Sequence, residues 1–188
     1  MRGFLAIPLP DPLRREAADL PRALLLPRES WRFVREDGLH VTVRFLGEVD
    51  PSSHARFNAA WREAAGGIGP LSLRVGAAVV APSARRPRVV WLPVRDASPD
   101  GSLGRLAGRI ERAARACGFP PEDRPFAGHV TLARARRGAR IPAAGVPDIG
   151  ELGNFVADRL VLYLSRLGPG GSIYEELSSY PLDREESP

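Results

Sequence analysis

One short segment of four residues occurs twice in the chain. The stretch His40-Val41-Thr42-Val43 recurs as His129-Val130-Thr131-Leu132, and these copies hold the only two threonines of the 188 residues and two of the three histidines. With random placement, both threonines would follow a histidine by two positions roughly once in 6,000 sequences of this composition. The repeat at 40–43 and 129–132 therefore predicts two equivalent segments that build one structure.

Both copies lie in runs typical of β-strands, in which successive side chains point to opposite faces. His40 and Thr42 then share one face, His129 and Thr131 share the corresponding face, and the aliphatic residues between them are buried. An imidazole exchanges protons near neutral pH, and a hydroxyl hydrogen-bonds phosphate oxygens. We therefore expect two walls of one cleft. The alternative is that these side chains only satisfy one another on solvated strand faces.

Glycine and proline, 19 residues each, divide the rest of the chain into many short elements. Hydrophobic alternation predicts strands at 4–9, 31–34, 40–46, 71–75, 89–94, 129–134, 155–167 and 173–177. A helical period predicts helices at 13–20, after Asp50-Pro51, and at 100–117. Hairpin-length connections beside helical crossovers favour the α+β class with largely antiparallel sheets.

The charged residues narrow the chemistry. All 27 basic residues are arginine, against 22 acidic residues, for a formal net charge of +5. The absence of lysine excludes a P-loop lysine, a Schiff-base lysine and a kinase-type lysine, whereas guanidinium groups suit phosphates and bases. The positive charge permits RNA or nucleotide partners.

The cysteine content and the hydropathy of the chain restrict its cellular compartment and the metal sites that it can form. Cys117 is the only cysteine, which excludes a disulfide framework and a cysteine-rich zinc site and fits a reducing compartment. The chain also lacks a His-Glu-x-x-His motif, so neither a metal nor another cofactor is predicted. The apolar run at the N-terminus is too short for a signal peptide, and no segment approaches the ~20 apolar residues of a membrane span. We expect a cytoplasmic protein without a membrane partner.

The residues around the two motifs carry a family resemblance. The stretches 38–48 and 124–134 resemble the two motifs of LigT-like RNA 2′,3′-cyclic phosphodiesterases, members of the two-histidine phosphoesterase superfamily long labelled RNA 2′,5′-ligases. Segments 4–10, 91–94, 165–167 and 171–177 also fit, so the resemblance covers nearly the whole chain. There are two departures. Arg44 takes the place of a family lysine, and Gly128 stands where proline is common, which we expect to loosen the approach to the second strand.

The resemblance implies a bilobal fold. Two pseudo-symmetric lobes of antiparallel sheet with flanking helices would face each other across a central groove, and each lobe would contribute one motif strand. Residues 1–188 would form a single two-lobed domain with a frayed tail at 183–188. We expect a monomer.

The resemblance also implies a reaction, namely metal-independent hydrolysis of RNA or nucleotide 2′,3′-cyclic phosphate to a 2′-phosphomonoester. Reversible, ATP-independent 2′,5′ RNA ligation would accompany it. His40 would be the proton donor and His129 the proton acceptor, although the sequence alone cannot orient the pair. The chemistry needs one neutral and one protonated histidine, and it needs fixed donors for the equatorial oxygens, which Thr42 and Thr131 can supply.

Three further residues are candidates for substrate binding. Arg134 resembles a family residue that binds the substrate phosphate, but strict alternation would turn it to the buried face, so a bulge or the end of the strand must redirect it. Phe126 and Tyr174 could stack on a base or line the groove. Arginines in the loops at 85–88 and 136–140 could follow an RNA backbone.

Two other functions stay open on the sequence. The chain could be a non-catalytic module that binds RNA or nucleotides, with the histidines as plain hydrogen-bond donors. It could also be a phosphodiesterase for a small cyclic nucleotide. Turnover of a cyclic phosphate separates the enzyme from the binding module. A comparison of mononucleotide with oligonucleotide substrates separates the two enzymes.

Overall fold

The computed structural model describes residues 1–50, 55–83, 85–138, 150–168 and 171–183. This part of the chain forms ten strands and three α-helices. The strands are β1 (Arg2–Pro8), β2 (Trp31–Phe33), β3 (His40–Glu48), β4 (Leu71–Val75), β5 (Val79–Ala81), β6 (Val89–Asp96), β7 (His129–Ala135), β8 (Gly153–Ala157), β9 (Arg159–Gly168) and β10 (Gly171–Pro181). The helices are α1 (Asp11–Ala23), α2 (Ala55–Ala65) and α3 (Ser102–Ala116), and a 3-10 turn spans Glu36–Gly38.

The strands form one curled antiparallel sheet in the order β10-β9-β1-β3-β7-β6-β4-β8. In addition, β2 pairs with β7 and β5 pairs with β6. The strands β10-β9-β1-β3, here called the β3 half, meet β7-β6-β4-β8, the β7 half, through the pairing of Val41 with Val130. The predicted α+β class with an antiparallel sheet is confirmed.

The two halves repeat one local topology, in which a strand, a helix and a motif strand occur in that chain order, although β2 and the 3-10 turn come between α1 and β3. In the β3 half this unit is β1-α1-β3, and in the β7 half it is β6-α3-β7. The registers also match, because Pro8 lies opposite His40 and Pro93 lies opposite His129. The sequence repeat therefore corresponds to a structural repeat that brings both motif strands to the centre of the sheet.

The core lies behind the motif strands. Val41 and Val130 have no exposed surface, and helices cover this face, with α1 against β7 and α3 against β3. Helix α3 packs through Leu106 and Ile110, spaced four residues apart, as the predicted helical period requires. Its first turn is held by Asp100, whose carboxylate accepts hydrogen bonds from the N–H of Ser102 at 3.1 Å and from its hydroxyl at 2.8 Å.

The predicted long strand at 155–167 is wrong in one respect. It divides at Asp158 into β8 and β9, which lie in different halves of the sheet, with β8 paired to β4 and β9 to β1. The carbonyl of Asp158 accepts the N–H of Leu182 at 2.7 Å, so this residue serves the connection. Both pieces have strand-like alternation, and alternation contains no information about which neighbour a strand pairs with.

Several predicted boundaries also shift. Helix α1 continues through Pro21 to Ala23. A proline in the last turn lacks only its own N–H, and the N–H groups of Leu24 and Leu26 still donate to the carbonyls of Leu20 and Pro21. Strand β10 reaches Pro181, beyond the predicted end at 177. The predicted helix start at Asp50-Pro51 continues into residues 51–54, and most of the predicted tail falls on 184–188; these two ranges lie outside the described residues. Within the described ranges, no helix is long and apolar enough to cross a membrane.

Candidate active site

A groove of about 660 Å³ opens where the two motif strands meet, and we call it the central groove. It is lined by the four motif side chains His40, Thr42, His129 and Thr131 and by Arg134. Tyr174 lines it as well, so the structure brings together six of the seven residues that the sequence singled out. The topological repeat explains this, since each half contributes its motif strand to the same edge of the core.

A β-bulge turns Arg134 towards the groove. Between β6 and β7 the register shifts, so that Trp91 faces Thr131 while Val90 faces Ala133. Leu132 and Ala133 are consequently both buried, and the alternation resumes one residue later with Arg134 exposed. Of the two predicted possibilities, a bulge or a strand end, the structure contains the bulge. The β3 half contains the same shift, which buries the residues at 43 and 44 and exposes the residue at 45.

Aromatic side chains enclose His40. The Phe4 ring stacks on the imidazole at 4.7 Å between centroids, Tyr174 meets it edge-on at 5.2 Å, and Tyr163 lies at 6.0 Å. This burial lowers the pKa of His40 from 6.5 to about 4, and the positive charges of His129 and Arg134 add to the effect. A backbone hydrogen bond to Gly38 opposes the shift.

His129 is held from the other half of the sheet. Its Nδ1 lies 2.8 Å from the Ala127 carbonyl oxygen, and its ring lies 4.3 Å from the Trp91 ring. With Nδ1 donating to that carbonyl, Nε2 is the free nitrogen. Burial lowers the pKa of His129, and the nearby charge of Arg134 lowers it further. Both histidines are therefore neutral at pH 7 without a ligand, and either can accept a proton.

The groove favours anions that a hydroxyl and a guanidinium can bind. Arg134 is exposed and has no carboxylate within 4.0 Å among the described residues. A phosphate between the two motif strands would meet Thr42, Thr131 and Arg134 as hydrogen-bond donors. The described residues contain no cluster of three or more histidine, cysteine, aspartate or glutamate side chains.

The two predicted aromatic binders separate. Tyr174, on β10, lines the central groove and contacts His40. Phe126 is exposed and lines two neighbouring grooves on the Trp91 side of His129, of about 530 Å³ and about 760 Å³, and Thr42 also lines the second. Sequence reasoning gave no site role to Phe4 or Trp91. The signal available for both is that they lie in the segments 4–10 and 91–94, which resemble the family.

Arg44, the basic residue of the first motif, points away from the groove. Only 5% of its surface is exposed, and it bonds Glu111 on α3 at 2.6 Å and Glu122 at 2.9 Å. It also donates to the carbonyls of Phe45 and Pro120. Because the bulge buries this position, Arg44 fastens β3 to α3 and to the segment that leads into β7. Its contribution is therefore to the relative position of the two motif strands.

The expected loosening at Gly128 is wrong. A Cβ at this position would lie 2.6 Å from the Val94 carbonyl oxygen and 3.0 Å from Leu103 Cδ2. The N–H of Val94 also donates to the Gly128 carbonyl at 2.8 Å. Glycine permits this close approach of two backbones, so the residue before His129 is tightly held.

Comparison with known proteins gives one consistent result. The profile of the family described as LigT like Phosphoesterase matches residues 7–91 and 94–174. The chain is 32% identical over 182 residues to the RNA 2′,3′-cyclic phosphodiesterase of Escherichia coli K12, with 96% of each chain covered. It is 30% identical over 184 residues to the enzyme of the same name from Bacillus subtilis 168, with 95% of each covered.

Solved structures agree with the sequence matches. The E. coli LigT structure complexed with 3′-AMP superposes with a TM-score of 0.75 at 30% identity, covering 96% of this chain and 97% of that one. A protein of Thermus thermophilus gives a TM-score of 0.82 at 27% identity, covering 99% of this chain and all of the other. The similarity therefore extends across both halves of the sheet.

Proposed function

The chain belongs to the LigT-like phosphoesterase family, and from this premise we propose that it hydrolyses 2′,3′-cyclic phosphates at RNA ends with a two-histidine acid–base pair. The observation that carries the proposal is the meeting of His40 and His129, each beside a threonine, in one groove. The complex of a solved relative with 3′-AMP supports a nucleotide ligand.

In the proposed reaction, a water oxygen attacks phosphorus opposite the ribose oxygen that leaves. The neutral histidine accepts the proton of the water as the new P–O bond forms. The protonated histidine gives its proton to the ribose oxygen as the old P–O bond breaks, and proton exchange with solvent restores the pair. By family resemblance His129 is the acceptor and His40 the donor.

The histidine that acts as the proton donor must become protonated when the substrate binds. Burial lowers the pKa of His40 to about 4 and also lowers the pKa of His129, so the free protein has few protonated imidazoles at pH 7. The negative charge of a bound phosphate favours the imidazolium form. Substrate binding and protonation of the donor are thus coupled, and the free-enzyme pKa values set the pH dependence.

The remaining groove residues serve the phosphate. Thr42, Thr131 and Arg134 donate to the equatorial oxygens, where negative charge accumulates in the five-coordinate transition state. If His40 faces O3′, the product is a 2′-phosphomonoester. With a 5′-hydroxyl in place of the attacking water, the same pair would join that hydroxyl to the cyclic phosphate as the P–O3′ bond breaks, which is ATP-independent 2′,5′ ligation.

One assay tests the proposal directly. An RNA ending in a 2′,3′-cyclic phosphate is incubated with the protein, with and without a chelator, and phosphorus NMR assigns the product. We expect the same rate in both samples and a 2′-phosphate product. Binding without turnover would instead indicate the non-catalytic module, and a 3′-phosphate would reverse the donor and acceptor assignment.

Substrate size separates the two enzymatic readings. A cyclic mononucleotide as the better substrate would favour the small-nucleotide phosphodiesterase.

A single two-lobed domain, a monomeric state and a cytoplasmic location stay predictions.

A further inference from the structure

A second, smaller groove opens from the central groove on the side of β2, and we call it the side groove. Its volume is about 80 Å³, and its charged lining consists of Arg32, Arg35 and Arg134. Gly38 and Tyr174 line both grooves, as does Arg134, so the two are continuous. A ligand in the central groove can therefore extend into the side groove.

Arg32 and Arg134 face each other across two paired strands. In the antiparallel ladder between β2 and β7, Arg32 lies directly opposite Arg134, and both side chains are exposed on the same face. Like charges in this arrangement destabilise a sheet. Among the described residues, neither arginine has a carboxylate within 4.0 Å that would offset the repulsion.

The third arginine of the side groove differs. Asp37 accepts two hydrogen bonds from Arg35, at 3.1 Å from Nε and at 2.9 Å from the terminal nitrogen, so this charge already has a partner. Arg32 and Arg134 thus remain as a cationic pair that an anion would stabilise. Guanidinium forks match the geometry of phosphate oxygens, which they bind in a bidentate manner.

We propose that Arg32, next to the Arg134 that binds the reacting phosphate, forms a second phosphate-binding subsite that takes the phosphate on the 5′ side of the nucleotide whose cyclic phosphate reacts. The proposal rests on the proposed function and specifies its substrate as one with two phosphates. Two sources share this chemistry, namely the internucleotide phosphodiester of an RNA and the 5′-phosphate of a mononucleotide. Arg134 lies on β7 with His129, whereas Arg32 lies on the neighbouring strand β2. This position suits an RNA chain that leads away from the reacting phosphate.

The test compares three substrates that differ only in the second phosphate. They are adenosine 2′,3′-cyclic phosphate, the same compound with a 5′-phosphate, and the dinucleotide ApA with a terminal 2′,3′-cyclic phosphate. The variant is Arg32→Gln, and the control is Arg115→Gln, which removes an exposed charge on α3 without an ion pair within the described ranges. The quantity measured is the ratio of kcat/KM for each two-phosphate substrate to that for the plain cyclic nucleoside.

We expect Arg32→Gln to lower this ratio about tenfold, the effect of one charge-assisted hydrogen bond. Arg115→Gln should leave it within about twofold. A loss confined to the dinucleotide identifies RNA as the source of the phosphate, whereas an equal loss for the 5′-phosphorylated nucleoside identifies any second phosphate. An unchanged ratio in Arg32→Gln would overturn the subsite.

Measurements of stability and of binding test the subsite independently of the proposed hydrolysis. Because Arg32→Gln removes a like-charge contact, its melting temperature should equal or exceed that of the wild type, and a clear decrease would indicate a merely structural role. Calorimetric binding of 3′-phosphorylated ApA and of 3′-AMP tests the subsite without turnover. If no cyclic phosphate is hydrolysed but Arg32 still favours the dinucleotide, the proposed activity fails and the subsite stands.

Discussion

Acidification should destabilise the fold through His40. Burial among the rings of Phe4, Tyr163 and Tyr174 lowers the pKa of His40 from 6.5 to about 4. Between these two values the unfolded chain binds more protons than the folded protein, so stability present above pH 6.5 is lost as the pH falls. For these pKa values, linkage gives a loss of about 2 kcal/mol between pH 7.5 and pH 5.

The assay is urea unfolding followed by tryptophan fluorescence at both pH values, for the wild type and for His40→Gln. Buffers should contain no phosphate, because an anion in the groove would raise the pKa of the imidazole. The difference between the two pH values should be about 2 kcal/mol smaller in His40→Gln, whatever the substitution does to stability at pH 7.5.

Two controls sharpen the measurement. His129→Gln should also reduce the pH-dependent loss, since burial lowers the pKa of His129 in the same direction. Arg115→Gln should reproduce the wild-type loss, because its charge does not change in this range. Equal losses in the wild type and in His40→Gln would refute the argument that burial of His40 penalises its charged form.

Three further predictions concern catalysis and the ion pairs of Arg44 behind the motif strands. His40→Ala and His129→Ala should each lower turnover of a cyclic phosphate by about 100-fold or more while the far-UV circular dichroism spectrum stays native; near-wild-type rates would exclude the acid–base pair. Because both histidine pKa values lie below 6.5 in the free protein, kcat/KM should fall by nearly tenfold per pH unit from pH 7 to 9, and a rising profile would contradict this. Arg44→Met should cost about 2–3 kcal/mol in urea unfolding, less than a fully buried pair because both carboxylates reach solvent. The double variant Arg44→Met/Glu111→Gln should cost less than the sum of the single variants, and additive costs would show that the two groups are not coupled.

Local patterns in the sequence were sufficient for the motif strands. Alternation put His40 and Thr42 on one face, and it required a bulge or a strand end at Arg134; the register between β6 and β7 contains the bulge. The helical period also predicted α3 with its buried face. These features depend on residues close in the chain, and the periodicity of side chains along one element determines which face is buried.

The pairing of distant segments was decided only by the tertiary structure. The division of 155–167 into strands in different halves, the partners of Arg44, and the position of Arg32 opposite Arg134 all depend on which strands become neighbours. The lowered pKa of His40 depends on rings brought from β1, β9 and β10. Side-chain periodicity predicts which face of a strand or helix is buried, but not which other element covers that face. The covering element determines how far an ionisable side chain is removed from water, and therefore its pKa.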